Sequence, residues 1–372
     1  MLKKRILSFL GAAALTAALT FAVVSLSPSN GFTSGSMQEG MSYEVCGVSP
    51  DAIVASLDGN GASADLITYW IGYNATYLNS YMQHYGGGAL DWDYTMSDGT
   101  TMPDYIKQDV LATVKQELLI ENLANKYGVT LTDEQRAAIE SDEQSFITQY
   151  GSEEAFDEEL AKLGLRRETY ERITATNYLY QNLYKLYLTE GSALYVSDED
   201  LAAYAAAQNY ITADHILLTT VDTATGEALS DEAIAEKKAL AEELAEKLKN
   251  YTGDDLASYF AELADEYSED PGRASYPTGY TFTTGSMVQE FEDAAYALDE
   301  GAVSDIVESS FGYHILLRLP LDKAAAAESV REAYFTNFID EQLEKVTLAT
   351  SEQFDALDAQ ALYEAIVAAQ AE

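Results

Sequence analysis

Apolar and aromatic positions recur at intervals of three and four through most of residues 51–208. This spacing places them on one face of successive helices and predicts a mostly α-helical region. The clearest stripe runs from Leu66 to Tyr81, and a short strand at Asp51–Leu57 precedes it. The positions that mark helix starts are Pro103, Thr132 with Gln135 as a capping box, Ser152 and Ser197.

The pattern changes over residues 209–320, where β-type and helical stretches alternate. Ile211–Thr220 and Tyr313–Leu319 are β-type runs, and Val303–Val307 is a shorter one. The helical stretches between them are residues 231–248, 256–266 and 288–298. A strand, two helices, a short strand, a helix and closing strands predict a small α+β sandwich.

The C-terminal segment, residues 321–372, is again helical in pattern. Its apolar face comprises Val330, Tyr334, Phe335, Phe338, Ile339 and Leu343. Because so apolar a helix is unstable alone in water, we expect this segment to pack on the N-terminal helices. The α+β unit is then inserted in one discontinuous helical domain.

The N-terminus carries an export signal. Lys3, Lys4 and Arg5 precede an apolar run of residues 6–26, and a basic segment before such a run is typical of secretion signals. The run is also long enough to span a bilayer. We therefore assign residues 1–28 to a signal peptide or membrane anchor, with cleavage left open, and residues 29–50 to a flexible tether.

Cysteine content and charge narrow the class of protein. Cys46 is the only cysteine, so no disulfide forms within the chain, and Tyr43-Glu44-Val45 before it does not match a lipidation motif. The formal net charge is -41. Nucleic acids and anionic lipids require a basic face, so neither is expected to bind the soluble part. An exported chain of this size without disulfides favours a bacterial-type extracytoplasmic protein.

Five short motifs follow one another between residues 211 and 319. They are Ala213-Asp214-His215-Ile216-Leu217; Tyr267-Ser268-Glu269-Asp270; Gly285-Ser286-Met287-Val288 with Phe291-Glu292; Leu298 with Gly301, Val303 and Ser304; and Phe311-Gly312-Tyr313-His314-Ile315. In this order the motifs resemble those of the parvulin family of peptidyl-prolyl isomerases. The resemblance implies a parvulin-like α+β sandwich that isomerises X-Pro bonds.

The resemblance also assigns roles to individual residues. His215 and His314 correspond to paired histidines on neighbouring central strands, and Asp270 to a Cys or Asp beside the substrate carbonyl. Met287 and Phe291 correspond to the apolar cup for the proline ring. One helical turn separates those two, so both side chains can face the same side. The reaction needs no nucleophile, because amide resonance alone creates its barrier of about 18–20 kcal/mol.

Each of these residues also has a structural interpretation, which the sequence leaves open. His215 and His314 lie in apolar runs, as hydrogen-bonded core histidines do. Met287 and Phe291 suit an ordinary core, and Asp270 suits the stabilisation of an Asp-Pro-Gly turn. No further His or Cys lies near the two histidines in sequence, so we expect no metal site. No cofactor is implied.

Two features depart from the parvulin pattern. Residues 276–280, Tyr-Pro-Thr-Gly-Tyr, replace the usual Gly-Gly-x-Leu-Gly segment, so the pocket rim differs and the catalytic strength is undetermined. The loop of residues 219–232 contains no Lys or Arg and several acids. Recognition of phosphate requires a basic cluster, so a preference for phosphorylated Ser/Thr-Pro is disfavoured.

The flanking helical segments resemble the chaperone regions of SurA and PrsA-type foldases. The matching phrases are Lys126-Tyr127-Gly128-Val129, Gly151-Ser152-Glu153 and Val196-Ser197-Asp198-Glu199. The resemblance implies a SurA N-terminal-like chaperone domain around the α+β unit. The 27 tyrosines of the chain fit either an adaptable groove for unfolded chains or the helical core.

Together these features predict a peptidyl-prolyl isomerase and chaperone that is exported and either membrane-associated or secreted. Its expected partners are unfolded or newly exported polypeptides with X-Pro bonds, and the membrane through the N-terminal segment. The alternative is a non-catalytic holdase chaperone that retains the parvulin fold. The predicted domains are residues 51–208 (helical), 209–320 (isomerase) and 321–372 (C-terminal helices). The sequence does not specify the clients, the oligomeric state, or whether the N-terminal segment is cleaved, uncleaved or lipidated.

Overall fold

The computed structural model describes residues 24–25, 31–84, 88–222 and 225–371. Contacts divide the chain into two compact units. The first comprises the described residues up to 195 and from 338 onward, and the second comprises residues 196–337. No helix in these described ranges is long and apolar enough to cross a membrane. All of the predicted signal or anchor except Val24–Ser25 lies outside the described residues.

The first unit is mainly helical. Its helices are α1 (Met41–Cys46), α2 (Ala64–His84), α3 (Met102–Tyr127), α4 (Asp133–Tyr150), α5 (Glu153–Ala161), α6 (Arg167–Leu188), the end of α11 (Lys323–Glu344), α12 (Glu352–Asp355) and α13 (Ala359–Ala371). A small sheet has the order β1-β8-β2-β3. Its strands are β1 (Val24–Ser25), β2 (Ile53–Leu57), β3 (Asn60–Ser63) and β8 (Ala349–Thr350).

Two glycines explain the β2–β3 hairpin and the close packing of α2: one adopts the turn conformation and the other leaves space for a neighbouring side chain. Asp58 and Gly59 form the two-residue turn with φ of 51° and 86°, which suits an Asp-Gly hairpin turn. Gly72 on α2 lies against Ile366 on α13, where an added Cβ would collide with the isoleucine side chain. The C-terminal helix therefore packs closely on an N-terminal helix of the same unit.

The flexible tether predicted over residues 29–50 is wrong for the part that the structure describes. Residues 31–50 include α1, and Val48 and Ser49 are buried. The carboxylate of Asp51 accepts hydrogen bonds from the backbone of Ser36 and Met37 and from the Ser49 hydroxyl. These bonds also hold the pKa of Asp51 well below its usual value, Ser49 contributing most. The carboxylate of Asp51 therefore helps to order this aperiodic polar segment by binding two of its backbone amides.

The second unit is the α+β part. Its elements are α7 (Asp198–Ala207), β4 (Ile211–Thr219), α8 (Asp231–Lys249), α9 (Leu256–Tyr267), β5 (Tyr280–Phe282), α10 (Gln289–Ala297), β6 (Val307–Ser309), β7 (Gly312–Leu319) and the first part of α11. The sheet has the order β5-β4-β7-β6, and all neighbouring strands are antiparallel.

Alternate residues of β4 serve the two faces of this sheet. Ile216 and Leu218 face α8 and α9, where they pack with Leu244 and Phe260 in one core. The other face carries Ile211 and Ala213, which pack with Phe282, Phe291 and Leu316 beneath α10. His215 has the parity of Ala213, so the sheet geometry directs it to the α10 face.

The second unit extends beyond the predicted isomerase boundaries of residues 209–320. α7, which we had assigned to the helical domain, belongs to residues 196–337, as does the first part of α11. Leu201 and Ala205 of α7 are buried with Ala326 and Val330 of α11. The prediction that all of residues 321–372 pack on the N-terminal helices is therefore wrong for residues 321–337, which belong to the second unit, whereas the residues from 338 onward belong to the first. The apolar face of α11 is divided, because Val330 packs in the second unit while the ring of Phe338 contacts that of Tyr187 in the first, with centroids 5.4 Å apart.

Several local predictions are confirmed. Thr132 and Gln135 form the capping box of α4, and Ser152 and Ser197 cap α5 and α7. The strand predicted at Val303–Val307 is instead β6 at Val307–Ser309, and Val303 forms only an isolated bridge to Leu317. The edge strands β3 and β5 were missed, because each is four residues or shorter.

Candidate functional site

The two histidines lie on the paired central strands of the second unit. His215 on β4 is opposite Leu316, and His314 on β7 is opposite Leu217, so the histidines are diagonal neighbours on one face. Their ring centroids are 5.4 Å apart. Both residues are buried, with relative exposures of 7% and 4%.

Phe291 closes this face from α10. Its ring meets His215 edge-to-face with centroids 5.1 Å apart, and meets His314 in the same manner at 5.6 Å. The ring of Phe282 on β5 lies 5.7 Å from that of Phe291. Met287 is half-buried and packs in the same apolar cluster. Met287 and Phe291 thus form an apolar wall beside the histidine pair.

A short segment after α9 brings Asp270 to the histidines by pairing with β4. The Leu217 amide donates to the Ser268 hydroxyl at 3.1 Å, and the Glu269 amide donates to the Leu217 carbonyl at 2.8 Å. This anchor places the Asp270 carboxylate with Oδ2 at 3.8 Å from Nε2 of His215. A loop residue is therefore held by the central strand itself.

Two donors fix the Asp270 carboxylate. The Gly272 amide donates to Oδ1 at 3.1 Å, and the Tyr280 hydroxyl donates to Oδ2 at 2.6 Å. The Tyr280 ring stacks against His215, with centroids 5.6 Å apart and an interplanar angle of 29°. Burial, and then the hydrogen bond to Asp270, raise the pKa of Tyr280 well above its usual value.

Both histidines are neutral at physiological pH. Burial lowers the pKa of His215 to about 4, although the Asp270 carboxylate opposes the shift. Burial and the neighbouring His215 lower the pKa of His314 to about 4. The Nε2 atom of His314 is 2.8 Å from the Ser309 hydroxyl, while neither Nδ1 atom has a hydrogen-bond partner in the described part of the chain.

Glu292 shapes the loop that carries Met287. Its carboxylate accepts from the amides of Gly285 at 3.0 Å and Met287 at 2.8 Å. These two backbone donors lower the pKa of Glu292, whose side chain lies inside the unit with a relative exposure of 3%. The loop before α10 is thus tied to the helix that supplies Phe291.

Charges near the site are already paired. Arg273 donates to Asp214 at 2.6 Å and to Asp265 at 2.9 Å. Asp214 follows the opposite parity to His215 on β4 and lies on the other face of the sheet. Lys237 is paired with Glu269. Within the described ranges, no three His, Cys, Asp or Glu residues group together as a metal site would require.

The structure brings together all five residues predicted for the site: His215, Asp270, Met287, Phe291 and His314. Their catalytic and binding roles stay predictions. Sequence reasoning assigned no role to Tyr280, Ser309 or Glu292. Tyr280 had a visible signal, since it stands in the segment that departs from the parvulin pattern. Glu292 lies inside one of the five motifs and Ser309 lies next to another, but the resemblance assigns a role to neither.

Comparison with known proteins agrees with this geometry. The sequence model of the PPIC-type PPIASE domain (Rotamase) matches residues 215–319. The curated "Foldase protein PrsA" of Staphylococcus aureus (strain bovine RF122 / ET3-1) is 27% identical over 255 residues, which are 68% of this chain and 71% of that protein. The same foldase of strain MRSA252 is also 27% identical over 255 residues.

Solved structures also match this chain, but their TM-scores are low. The crystal structure of PrsA from Bacillus subtilis is 22% identical and covers 75% of this chain and 91% of its own, with a TM-score of 0.25. The solution structure of NmPin, the parvuline of Nitrosopumilus maritimus, is 35% identical over 30% of this chain, with a TM-score of 0.21. The sequence matches therefore carry the relationship. The chain contains a PPIC-type PPIase domain and is homologous to PrsA foldases, which confirms the predicted resemblance and the mixed α+β fold class.

Proposed function

We propose that this protein is a parvulin-type peptidyl-prolyl cis–trans isomerase and chaperone that assists the folding of exported proteins outside the cytoplasmic membrane. One observation carries the proposal. His215, His314, Asp270 and Phe291 converge on one face of the sheet inside the matched PPIase domain, with Asp270 Oδ2 at 3.8 Å from His215 Nε2.

To catalyse isomerisation, this site must weaken the resonance of the X-Pro amide bond. Uncatalysed rotation about an X-Pro bond takes tens of seconds or longer. An apolar wall of Met287 and Phe291 suits a proline ring, and burying that ring removes water from the adjacent amide. The Asp270 carboxylate beside the carbonyl disfavours charge on its oxygen, which reduces the double-bond character of the C–N bond. No proton transfer is required.

The histidines fit this role as neutral groups. With pKa values of about 4, both imidazoles are uncharged between pH 5 and pH 8. They hold the floor of the site as polar rings that pack edge-to-face on Phe291. Their proposed role is to shape the site and to hydrogen-bond within it. The parvulin resemblance assigns them as catalytic residues, and we propose that role only in this sense.

The substrate class we propose is the unphosphorylated X-Pro bond. A phosphorylated residue before proline requires free Arg or Lys side chains at the rim. The described residues of the 219–232 loop contain neither, while Lys237 and Arg273 are bound to Glu269 and Asp214. Clients are therefore newly exported or unfolded polypeptides rather than phosphoproteins.

The proposed location follows from the N-terminus and from the foldase homologues. Lys3, Lys4 and Arg5 before an apolar run direct the chain across a membrane and leave the basic end behind. Association with that membrane through residues 1–28 is part of the proposal. The net charge of -41 disfavours nucleic acid as a partner.

A holdase without turnover is the second candidate. Tyr77 and Tyr94 in the first unit are exposed by 64% and 52%, and tyrosine offers unfolded chains an apolar area with a polar tip. In the second unit, Tyr280 occupies the altered rim segment and is bonded to Asp270. Both observations are compatible with client binding that does not depend on isomerisation.

The test is the cis-to-trans conversion of an unphosphorylated Ala-Pro tetrapeptide by the full chain in mild detergent. We expect clear acceleration, with losses of at least tenfold in Asp270→Ala and Met287→Ala. Exposed Tyr94→Phe serves as a matched control in the other unit. Absence of acceleration, together with intact suppression of client aggregation, would identify the holdase instead.

A further inference from the structure

Tyr280 reaches the site from the edge strand β5. It is paired with Ala213 on β4, so its side chain lies on the same face as Ala213 and His215. Its ring covers His215 and its hydroxyl reaches Asp270 Oδ2 at 2.6 Å. This residue stands in the segment of residues 276–280 that departs from the parvulin pattern.

Two glycines give Tyr280 this position. Gly279 has φ of +89°, and a Cβ there would lie 2.7 Å from the Ala213 carbonyl oxygen, so only glycine lets β5 approach β4 at this point. Gly272 leaves the space that the Tyr280 hydroxyl fills, and a Cβ there would collide with that hydroxyl. The same Gly272 donates its amide to Asp270 Oδ1.

We propose that Tyr280 is a positioning residue for the reaction, which acts by holding the Asp270 carboxylate toward His215. The inference rests on the proposed isomerase function and adds to it a residue that the family motifs do not supply. Gly272 and Tyr280 together form a clamp with one donor on each carboxylate oxygen.

The clamp matters because a carboxylate side chain rotates freely when only one oxygen is held. With the Gly272 amide alone, Oδ1 stays bound while Oδ2 swings away from His215. Electrostatic catalysis depends on charges fixed before the reaction rather than reorganised during it. Tyr280 therefore affects the chemical step, and its removal lowers kcat more than it raises KM.

A simpler role for Tyr280 is as a packing wall on His215, and a phenylalanine distinguishes the two. Tyr280→Phe keeps the ring on His215 and removes only the hydroxyl. Tyr259→Phe is the matched control, because Tyr259 lies on α9 of the same unit, where its ring stacks on Tyr251 with centroids 4.5 Å apart. Gly272→Ala approaches the same effect from the other side by displacing the hydroxyl.

The experiment is a double-mutant cycle on the full chain, read by tetrapeptide isomerisation. We expect Tyr280→Phe to lower kcat/KM by roughly 10- to 100-fold, as the loss of one hydrogen bond to a charged group implies, mainly through kcat. Tyr259→Phe stays within twofold of the wild type, and Gly272→Ala resembles Tyr280→Phe. In an Asp270→Ala background, Tyr280→Phe has no further effect. Full activity of Tyr280→Phe, or an equal loss in that background, would overturn the proposal.

A second readout does not depend on turnover. NMR titration of the His215 imidazole reports the nearby carboxylate, because the Asp270 charge raises the pKa of His215 against the effect of burial. We expect Tyr280→Phe to lower this pKa toward that of Asp270→Ala, and to leave it unchanged in the Asp270→Ala background. An inactive wild type would refute the isomerase, whereas an unchanged His215 titration in Tyr280→Phe would refute the clamp.

Discussion

The ring of Phe291 meets the His215 ring at an interplanar angle of 86°, with centroids 5.1 Å apart. One residue comes from α10 and the other from β4, 76 positions earlier in the chain, so the contact joins the helix and the sheet across the candidate site. Edge-to-face contacts of this kind stabilise the fold beyond the effect of the apolar area that the ring buries. Phe291 is only 3% exposed, so it serves both the core and the proposed cup.

Phe291→Ala should therefore lower both stability and activity. Removal of a buried phenylalanine costs about 3–5 kcal/mol in the free energy of unfolding. Phe291→Leu retains apolar volume and should cost less than half of that, while still losing at least tenfold in kcat/KM because the flat wall is gone. Urea unfolding and the tetrapeptide assay separate the two effects. A fully active Phe291→Leu would show that the ring serves only the core.

The buried histidines should make the second unit less stable in acid. Their folded pKa of about 4 lies below the unfolded value of 6.5, so the unfolded state binds more protons between these values. Their contribution is complete above pH 6.5 and is lost as the pH falls toward 4. When the pH falls from 7 to 5, each histidine lowers the free energy of unfolding by about 2 kcal/mol.

Urea unfolding at both pH values tests this, with His314→Gln as the comparison. Between pH 7 and pH 5, the free energy of unfolding of the variant should fall by about 2 kcal/mol less than that of the wild type. Equal losses in the two proteins would mean that His314 is protonated in the folded state at pH 5. Activity should not follow these titrations between pH 6 and pH 8.

Glu292 should matter for activity without touching the substrate. Glu292→Ala leaves the amides of Gly285 and Met287 without their carboxylate acceptor, which costs about 1–3 kcal/mol. The loop then holds Met287 less firmly, so we expect KM to rise more than kcat falls. Asp293→Ala, an exposed neighbour on the same helix, is the control. Unchanged KM in Glu292→Ala would contradict this role.

Asp65 should be essential for the first unit and irrelevant to the second. It is 1% exposed and accepts hydrogen bonds from Arg166 and Thr169. Asp65→Ala removes the buried partner of the Arg166 guanidinium, which keeps only the exposed Glu168, and should destabilise the first unit by about 3 kcal/mol. Glu168→Ala removes the exposed partner of the same arginine and should cost less than about 1 kcal/mol.

Two assays distinguish the units. Tetrapeptide isomerisation by Asp65→Ala should stay within twofold of the wild type under native conditions, whereas suppression of client aggregation should fall. A parallel loss of isomerisation would show that the second unit depends on the first for its activity.

Sequence reasoning reached the helix caps and the central strands because their signals are local. Thr132 and Gln135 are three residues apart, and β4 and β7 are long apolar runs. It failed over residues 31–50, where order depends on the carboxylate of Asp51 rather than on any period. It also failed at the domain boundary, because α7 and α11 are 115 or more residues apart along the chain and the pairing of their apolar faces is not encoded in either one.

By itself, the sequence predicted an exported chain and determined that it is strongly acidic and contains a parvulin-like unit, because a basic and apolar N-terminus, a charge count and ordered motifs are properties of the chain alone. It also named His215, Asp270, Met287, Phe291 and His314. Only the tertiary structure decided that Tyr280 and Gly272 hold Asp270. That clamp depends on the register of β5 against β4 and on the space left by one missing side chain, and neither is visible before the strands are paired.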